Sequence, residues 1–314
     1  MHVLISGASG LIGSSLAPRL LAGGHTVSRL VRAAGRGGGA RGEGGAADVA
    51  SAGGAGAAIP WDPGAGVLDP SRLSGVDAIV HLSGVSIAAG RWTEKRRERI
   101  RSSRIRTTRL LAETLARMNP RPAVLVHASA VGYYGDRGQD VLTEASGSGS
   151  GFLADLCRDW EAASMPAQDA GVRVARLRIA PVIGPGGGML AAILPIFRLG
   201  LGGRLGNGRQ WMPWVSLEDL LSIVARALAD GSIKGSINAT APEPVTNAAF
   251  TRALGRALHR PTLFPVPAFA LRLALGAMAD ELLLASQRVV PETLLSGGFR
   301  FAHPRFEDAL GAAL

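Results

Sequence analysis

Cysteine, tyrosine and lysine are scarce in this chain, and their scarcity limits which disulfides and which catalytic pairs the protein can form. Cys157 is the only cysteine in 314 residues, so no disulfide can form within the chain and a reducing cytoplasm is expected. Aromatic residues make up 5% of the sequence, and only two are tyrosines. The lysines are Lys95 and Lys234, so most basic residues are arginine. The apolar stretch 265–285 is interrupted by charges and is too broken to span a bilayer, and no leader pattern precedes the first strand.

The charge of the chain raises the question of nucleic-acid binding, since the net charge is +10 and the isoelectric point is near 11.2. Nine basic residues and two glutamates lie between positions 91 and 109, on one predicted helix. Only Trp92 offers an aromatic ring there for stacking on bases, and no nucleic-acid-binding motif accompanies the charges. A solvated helix face is therefore favoured, and no nucleic-acid or membrane partner is expected. A homodimer is left open.

The N-terminal residues predict a strand, a tight glycine turn and a helix. An apolar run at positions 3–5 is followed by glycines at 7, 10 and 13 and then by apolar residues at helical intervals. Gly7 permits the turn, Gly10 lets the backbone approach a pyrophosphate, and Gly13 lets the helix lie close to the sheet. This placement predicts a dinucleotide-binding fold. The alternative is a glycine turn in a strand–helix unit that binds no ligand.

The second predicted strand, residues 26–31, bears on which dinucleotide is bound. It ends at Arg32, where an NAD-binding protein places an acidic residue on the ribose hydroxyls. An arginine there can pair with a 2′-phosphate, so NADP(H) is predicted over NAD(H), with Ser9 as a second contact. The alternative is that Arg32 is only a solvated strand end.

Strand and helix patterns alternate along most of the chain. They predict an α/β fold with a doubly wound, mainly parallel Rossmann sheet and a smaller, mostly helical C-terminal lobe on the substrate side. The Rossmann domain would span residues 1–183, with a return of the chain at about 214–240. The lobe would contain residues 184–213 and 241–314. The Gly/Ala-rich stretch 33–58 predicts a mobile loop without a fold of its own.

The ligand crevice of a doubly wound sheet lies where the strand order reverses, here between the first and fourth strands. The glycine turn and the segment that ends the fourth strand should face each other across the cofactor, unless that segment is an ordinary strand-ending turn. Asp62 is expected near the adenine amine. The predicted cofactor-binding residues are Gly7, Ser9, Gly10, Leu11, Ile12, Gly13, Arg32, Asp62, Leu82, Ser83 and Gly84.

Motifs spread over nearly the whole chain resemble those of the extended short-chain dehydrogenase/reductase superfamily, in its sugar-nucleotide epimerase-like branch. They include GASGLIG from Gly7, HLSG at 81–84, SAVGYYGD from Ser129, GPGGGML from Gly184 and ELLLASQRVVP from Glu281. More closely, the chain is similar to the atypical epimerase-family proteins, whose bacterial members carry a small extra C-terminal domain. The resemblance implies an NAD(P)-binding protein of that fold.

The chain departs from the superfamily at its catalytic pair. Active members use Tyr-x-x-x-Lys on the helix after the fifth strand, where the Tyr transfers a proton and the Lys lowers its pKa and holds the ribose. No tyrosine and lysine stand four residues apart here. Aligning Trp160 and Glu161 with the end of the usual helix motif places Leu153 at the Tyr position and Cys157 at the Lys position. The resemblance therefore implies no inherited acid–base pair.

Three residues are the best remaining catalytic candidates. Ser129 at the end of the fifth strand, with Tyr133 or Tyr134, would bind and protonate a carbonyl beside the nicotinamide. Without a nearby cation the pKa of either phenol would stay near about 10, which makes a weak acid–base group at neutral pH. Arg178 or Arg137 would have to supply that charge. The alternative is that both tyrosines pack or gate the pocket.

On the substrate side, the turn at 206–210 resembles the segment that contacts the second nucleotide in sugar-nucleotide epimerases. An anionic substrate would suit its arginines, whereas the tryptophans nearby fit core packing at least as well. Cys157 is interpreted as a small helix residue rather than as a nucleophile. No metal ligands are assigned. The substrate-side candidates are Arg178, Arg204, Arg209, Gln210 and Trp214.

Two functions remain open from the sequence. The first is an NADP(H)-dependent oxidoreductase or epimerase-like enzyme that acts on an unknown carbonyl, hydroxyl or nucleotide-linked compound. The second is a non-catalytic NADP(H)-binding sensor or regulatory protein. Absence of the Tyr–Lys pair favours the sensor, whereas Ser129 and the retained pocket segments favour the enzyme.

Overall fold

A computed structural model describes residues 1–32 and 55–314 of the chain. Most of the loop predicted at 33–58 lies outside these residues, and the third strand begins at Ala55, inside the predicted loop. The strands, in chain order, are β1 (His2–Ser6), β2 (Thr26–Arg32), β3 (Ala55–Trp61), β4 (Ala78–His81), β5 (Val124–Ala130), β6 (Val141–Leu142), β7 (Arg173–Ile179), β8 (Val182–Ile183), β9 (Trp211–Met212), β10 (Val215–Ser216), β11 (Gly235–Ala239), β12 (Val245–Thr246) and β13 (Arg288–Val289).

Helices cover both faces of the sheet and make up much of the C-terminal part. Short 3₁₀ turns lie at Pro70–Leu73 and Val131–Tyr134, and a π-helical turn at Ala279–Leu284. The helices are α1 (Leu11–Ala22), α2 (Glu94–Arg117), α3 (Phe152–Ala162), α4 (Met165–Asp169), α5 (Gly188–Arg198), α6 (Leu217–Ala229), α7 (Asn247–Ala257), α8 (Ala268–Leu275), α9 (Glu292–Ser296) and α10 (Phe306–Ala313).

Seven strands form the central sheet, in the order β3-β2-β1-β4-β5-β7-β11. Every neighbouring pair in this sheet is parallel. The order reverses between β1 and β4, so their carboxyl ends stand side by side and open a crevice at that edge. The predicted α/β, doubly wound, mainly parallel sheet is confirmed.

Residues of β1 alternate between the two layers of helices, which sets the core. Val3 and Ile5 pack in the apolar cluster that includes α1 and α6, whereas Leu4 packs in the cluster that includes α2. All three side chains are fully buried. Because this central parallel strand is buried on both faces, its sequence is a continuous apolar run and does not alternate with polar residues.

Helix boundaries follow their caps. The Thr93 hydroxyl accepts from the Arg96 amide at the start of α2, and the Ser216 hydroxyl accepts from the Asp219 amide at the start of α6. The serine before an apolar helical pattern already indicates the second of these caps in the sequence. Helix α2 buries Leu111 and Leu115 on its sheet side and leaves most of its arginines exposed or half-buried, as a solvated charged face requires.

The C-terminal part contains more helices than the sequence pattern indicates. Residues 189–214 leave the regular strand–helix alternation of the sequence, and the structure places most of α5 there; the sequence pattern misses this helix because Pro195 lies inside it. The single helical pattern over 152–170 is divided into α3 and α4, with Pro166 at the start of α4. In the core of this part the ring of Phe306 meets that of Trp214 edge to face and packs against that of Phe250.

No helix within residues 1–32 and 55–314 combines the length and the apolar character that a bilayer span needs.

Two histidines lie side by side inside the sheet, on β4 and β5. The ring centroids of His81 and His127 are 5.9 Å apart, and both residues are fully buried. Nδ1 of His81 contacts the Ser6 hydroxyl, and Nε2 of His127 lies 3.2 Å from the Trp160 carbonyl oxygen. Burial lowers the pKa of each ring to about 3, so both are neutral at physiological pH.

The histidine pair should make the protein acid-sensitive. The folded pKa lies below the unfolded value near 6.5, so stability is complete above that value and falls as pH drops towards 3. Each ring contributes about 1.4 kcal/mol per pH unit in this window. We expect the melting temperature to fall between about pH 7.5 and pH 5, and to fall less steeply in His127→Gln. The surface variant His259→Gln is the control, and an unchanged slope in His127→Gln would contradict the assignment.

Candidate functional site

The glycine turn, the end of β4 and the start of α1 are pressed together. Gly7 has φ +75°, a left-handed conformation that favours glycine. A Cβ on Gly7 would lie 2.8 Å from the Leu82 carbonyl carbon, and one on Gly13 would lie 2.7 Å from the Ala8 Cα. Both positions therefore exclude larger side chains for reasons of packing alone.

Gly10 differs from the other two glycines because space remains in front of it. It is exposed, and a Cβ there would meet only the Gly7 carbonyl oxygen, at 3.5 Å. No side chain caps α1, and its first turn, which includes Leu11, Ile12 and Gly13, has no acidic residue. The free N–H groups and the positive end of the helix dipole thus face open space. The residues present fit the pyrophosphate of a dinucleotide.

Arg32 and Ser9 stand at the same edge of the sheet. Ser6 pairs with Leu30, so Arg32 extends beyond the end of β1 to the level of the glycine turn. Both Arg32 and Ser9 are exposed, and Arg32 makes no ion pair with any residue that the structure describes. This position suits a 2′-phosphate contact. It stays a prediction.

Asp62 lies after β3 and already stabilises its own turn. Its Oδ1 accepts from the amides of Gly64 and Ala65, at 2.9 and 3.1 Å. The adenine contact predicted for Asp62 would use the other oxygen. Across the crevice, Leu82 extends the ladder from β4 by donating to the Ser6 carbonyl oxygen, and Ser83 and Gly84 follow at the open edge.

Ser129 and Arg178, predicted to meet a substrate, instead share a buried carboxylate. Oε1 of Glu161 accepts from the Ser129 hydroxyl at 2.7 Å and from Nε of Arg178 at 2.9 Å. Its Oε2 accepts from Nη2 of Arg178 and from the Ser236 hydroxyl. Burial is the largest single influence and lowers the pKa of Arg178, but the hydrogen bonds and charge of Glu161, together with Tyr134, outweigh burial and raise that pKa. This carboxylate was missed as a partner because it lies on a different element, α3.

Tyr134 is also part of this buried network. Its side chain is 0% exposed, which leaves no surface for a substrate. The phenol donates to Oδ1 of Asn238 at 2.7 Å and accepts from Nη1 of Arg178 at 2.9 Å. Burial raises the pKa of Tyr134, and the Arg178 charge offsets this only in part. The catalytic predictions for Ser129 and Tyr134 therefore lose their geometric support.

Tyr133 keeps more freedom than its neighbour. It is half-buried, and the Arg178 guanidinium carbon lies 3.5 Å from its ring centroid. Its ring meets that of Tyr134 edge to face, with centroids 5.3 Å apart. Of the three catalytic candidates, Tyr133 alone is partly exposed, and its role stays a prediction.

The two positions that usually carry the Tyr–Lys pair are apolar in character here. Leu153 and Cys157 both lie under Gly132, where a Cβ would be 3.2 Å from the Leu153 Cβ and 3.7 Å from the Cys157 Sγ. Burial raises the pKa of Cys157 to about 12, so the thiol is neither nucleophile nor acid at neutral pH.

A cavity of about 210 Å³ lies beside these positions, between the Rossmann strands and the C-terminal part. Oε2 of Glu281 accepts from the Leu153 amide at 2.8 Å and thereby caps α3, whose N-cap Gly151 has no side chain. The sequence motif at 281–291 marked this segment, but nothing in it indicated that contact. The lining residues are Gly132, Gly135, Asp136, Ser150, Leu153, Arg272, Asp280, Glu281, Leu284 and Ala285.

The remaining substrate-side candidates fall into two groups. Arg204 and Arg209 are exposed, and Arg209 lines an open depression of about 600 Å³ together with Arg252. Gln210 and Trp214 are buried; Gln210 donates to backbone carbonyl oxygens, and the Trp214 indole N–H donates to the Glu243 carbonyl oxygen. Gln210 and Trp214 therefore both make structural contacts. For Trp214 this agrees with core packing, the alternative expected from the sequence.

Two family models and several known proteins are similar to this chain. A model of the NAD dependent epimerase/dehydratase family matches residues 3–239, and a Domain of unknown function (DUF1731) matches residues 266–313. Epimerase family protein Mb2239 of Mycobacterium bovis is 45% identical over 311 residues, covering 99% of this chain and 97% of its own. Human epimerase family protein SDR39U1 is 34% identical over 321 residues, covering 100% and 98%.

A solved structure is similar over the same length. The crystal structure of human epimerase family protein SDR39U1 with NADPH has a TM-score of 0.84 and 32% identity, covering 99% of this chain and 98% of that chain. The shared fold therefore includes both the parallel sheet and the C-terminal helices.

A substitution at Gly10 should weaken cofactor binding without destabilising the fold. Gly10→Ala should fold normally because the added methyl meets only one backbone atom, yet it would enter the space that a pyrophosphate needs. We expect the Kd for NADPH, measured by nucleotide fluorescence, to rise about tenfold or more, with little change in melting temperature. Ser14→Ala, at an exposed position of the same helix, is the matched control. Unchanged affinity in Gly10→Ala would refute the pyrophosphate assignment.

Proposed function

Because the chain belongs to the NAD dependent epimerase/dehydratase family, we propose that it binds NADP(H) at the glycine turn and acts as an oxidoreductase or epimerase-like enzyme. The substrate would be a small or nucleotide-linked carbonyl or hydroxyl compound. The observation that carries the proposal is the uncapped start of α1 behind an open Gly10. An anion site at the reversal point of a doubly wound sheet suits a dinucleotide.

The preference for NADP(H) rests on Arg32. Its guanidinium is exposed at the carboxyl end of β2, level with the glycine turn. A guanidinium there can form paired, charge-assisted hydrogen bonds with a 2′-phosphate, whereas a ribose hydroxyl offers it no charge. The human SDR39U1 crystal structure was solved with NADPH, which supports the same preference here.

In this proposal different residues of the chain bind the cofactor and the substrate. The amides at the start of α1 hold the pyrophosphate, and Arg32 holds the 2′-phosphate. The cavity beside Gly132 receives the substrate, with Arg272 and Glu281 as its polar contacts. The bound nicotinamide supplies the hydride chemistry. Tyr133 remains the one tyrosine with enough exposure to exchange a proton in the crevice.

A second candidate function, a non-catalytic NADP(H)-binding sensor, has its own support. Tyr134 is sealed in the core, Ser129 is held by Glu161, and the pKa of Cys157 is raised to about 12. A crevice that binds the cofactor without a proton donor near neutral pH would report cofactor state rather than turn it over.

Cofactor choice tests the main assignment. Unaltered protein should bind NADPH much more tightly than NADH, because only NADPH carries the phosphate that pairs with Arg32. Arg32→Asp should weaken NADPH and reverse the preference by about tenfold or more in the ratio of Kd values. Titration of both nucleotides by fluorescence measures this, with the exposed Arg72→Asp as control. An unchanged ratio would remove the Arg32 assignment.

Turnover separates enzyme from sensor. With NADPH and a panel of aldehydes, ketones and nucleotide-linked sugars, the enzyme hypothesis expects oxidation of NADPH that Tyr133→Phe reduces by about tenfold or more while NADPH binding stays intact. Absorbance at the reduced-nicotinamide band follows the reaction. Robust turnover would exclude the purely sensory function, and tight binding without any turnover would favour it.

A further inference from the structure

Arg104, on α2, lies in the gap between the segment that follows β4 and helix α3. A Cβ on Gly84 would lie 3.1 Å from its Cζ, so the guanidinium packs directly against that backbone. On its other side Cζ lies 5.1 Å from the ring centroid of Trp160. These contacts hold the head of Arg104 at the edge of the crevice, next to the reversal point of the sheet.

The positive charge of Arg104 has no carboxylate to balance it among the residues in 1–32 and 55–314. Its Nη1 donates to the Ile100 carbonyl oxygen of its own helix at 3.3 Å and approaches the Ser103 hydroxyl at 3.5 Å, while its Nε and Nη2 have no hydrogen-bond partner in that part of the chain. Partial burial lowers its pKa to about 10, and the Arg96 charge adds to this lowering. The group is still a cation at neutral pH, with donors to spare.

Arg104 also lies near the position that lost its lysine. Its Cζ lies 5.1 Å from the ring of Trp160, which follows Cys157 by three residues on α3 and therefore lies on the same side of that helix. Cys157 stands on α3 where the parent superfamily carries the lysine that holds the nicotinamide-side ribose. The charge that α3 lacks is thus present beside it, on a side chain from α2.

The two ends of the crevice can be told apart. Arg32 lies on the β2 side, where a 2′-phosphate of the adenosine half would bind, and the start of α1 takes the pyrophosphate in the middle. The other half of a dinucleotide must then extend over β4 and β5, where Arg104 is found.

We propose that Arg104 holds the nicotinamide-side ribose of NADP(H), so that a cation from α2 replaces the lysine missing from α3. The guanidinium suits this role because its planar fork of N–H donors can meet two neighbouring hydroxyls at once. Arg104 is longer than a lysine and starts from α2, which packs beside α3, so its head can lie next to α3 without belonging to it. The inference rests on the proposed function, namely that the chain binds NADP(H).

Two ligands distinguish the halves of the site. NADPH contains the nicotinamide-side ribose, whereas adenosine 2′,5′-bisphosphate contains only the adenosine half with its 2′-phosphate. Calorimetric titration of the full-length protein with each ligand gives the two Kd values. In Arg104→Gln the Kd for NADPH should rise about tenfold or more, and the Kd for the bisphosphate should not change.

Matched variants guard against a purely structural effect. Arg106→Gln removes the same charge from an exposed position of α2 and should bind both ligands as the unaltered protein does. Arg104→Lys keeps the charge and should recover part of the lost NADPH affinity. Normal bisphosphate binding by Arg104→Gln would itself show that this variant is folded at the crevice.

Each remaining outcome is informative. Unchanged NADPH affinity in Arg104→Gln, or an equal loss for both ligands, would overturn the role of Arg104 and leave the proposed function standing. Failure of the unaltered protein to bind either ligand would overturn the proposed function, and this inference with it.

Discussion

A buried ion pair between Glu161 and Arg178 constrains the interior of the Rossmann sheet. Exposures of 11% and 5% for the two side chains mean that both charges have lost most of their water. Such a pair is tolerable only if the remaining lone pairs and N–H groups are satisfied. Here Ser129 and Ser236 also donate to the carboxylate, and the Tyr134 hydroxyl accepts an N–H from Nη1 of the guanidinium. Removing one partner would cost about 3–5 kcal/mol, because the other would be left as an uncompensated charge.

This pair decides what the surrounding residues can do. From Tyr134 the hydrogen bonds continue to Asn238 on β11, whose amide nitrogen Nδ2 donates to the Val290 carbonyl oxygen in the C-terminal part. The network therefore connects β11, at the edge of the sheet, with the chain just after β13 in the C-terminal part. If the side chain of Ser129 or Tyr134 turned towards the crevice, its hydrogen bonds in this network would break, so both side chains stabilise the fold.

The fold was largely predictable because its signals are local. The glycine spacing, the apolar run of β1 and the Ser216 cap each act within a few residues, and the alternation of strand and helix patterns predicts the doubly wound sheet whose reversal point forms the crevice. The site was less predictable. Ser129 finds its partner Glu161 thirty-two positions away, and Glu281 caps a helix 128 positions before it. Residue type and spacing carry no information about such pairings. Helix α5 was missed for a local reason, since Pro195 breaks the helical pattern although the preceding turn accommodates it.

Cofactor binding and proton transfer are separate questions in this fold. The first depends on backbone amides and arginines at the open edge, where the amides of Leu11 and Ile12 and the guanidinium groups of Arg32 and Arg104 have N–H groups without partners in the described part of the chain. The second needs a group whose pKa lies near neutrality and whose atoms reach the crevice. Burial moves Tyr134 and Cys157 away from that range, in the direction of holding their protons. Leu153 and Cys157 occupy the positions of the Tyr–Lys pair, so proton transfer would need a different group, whereas the amides and arginines that could hold a dinucleotide lie on other elements and do not depend on that pair.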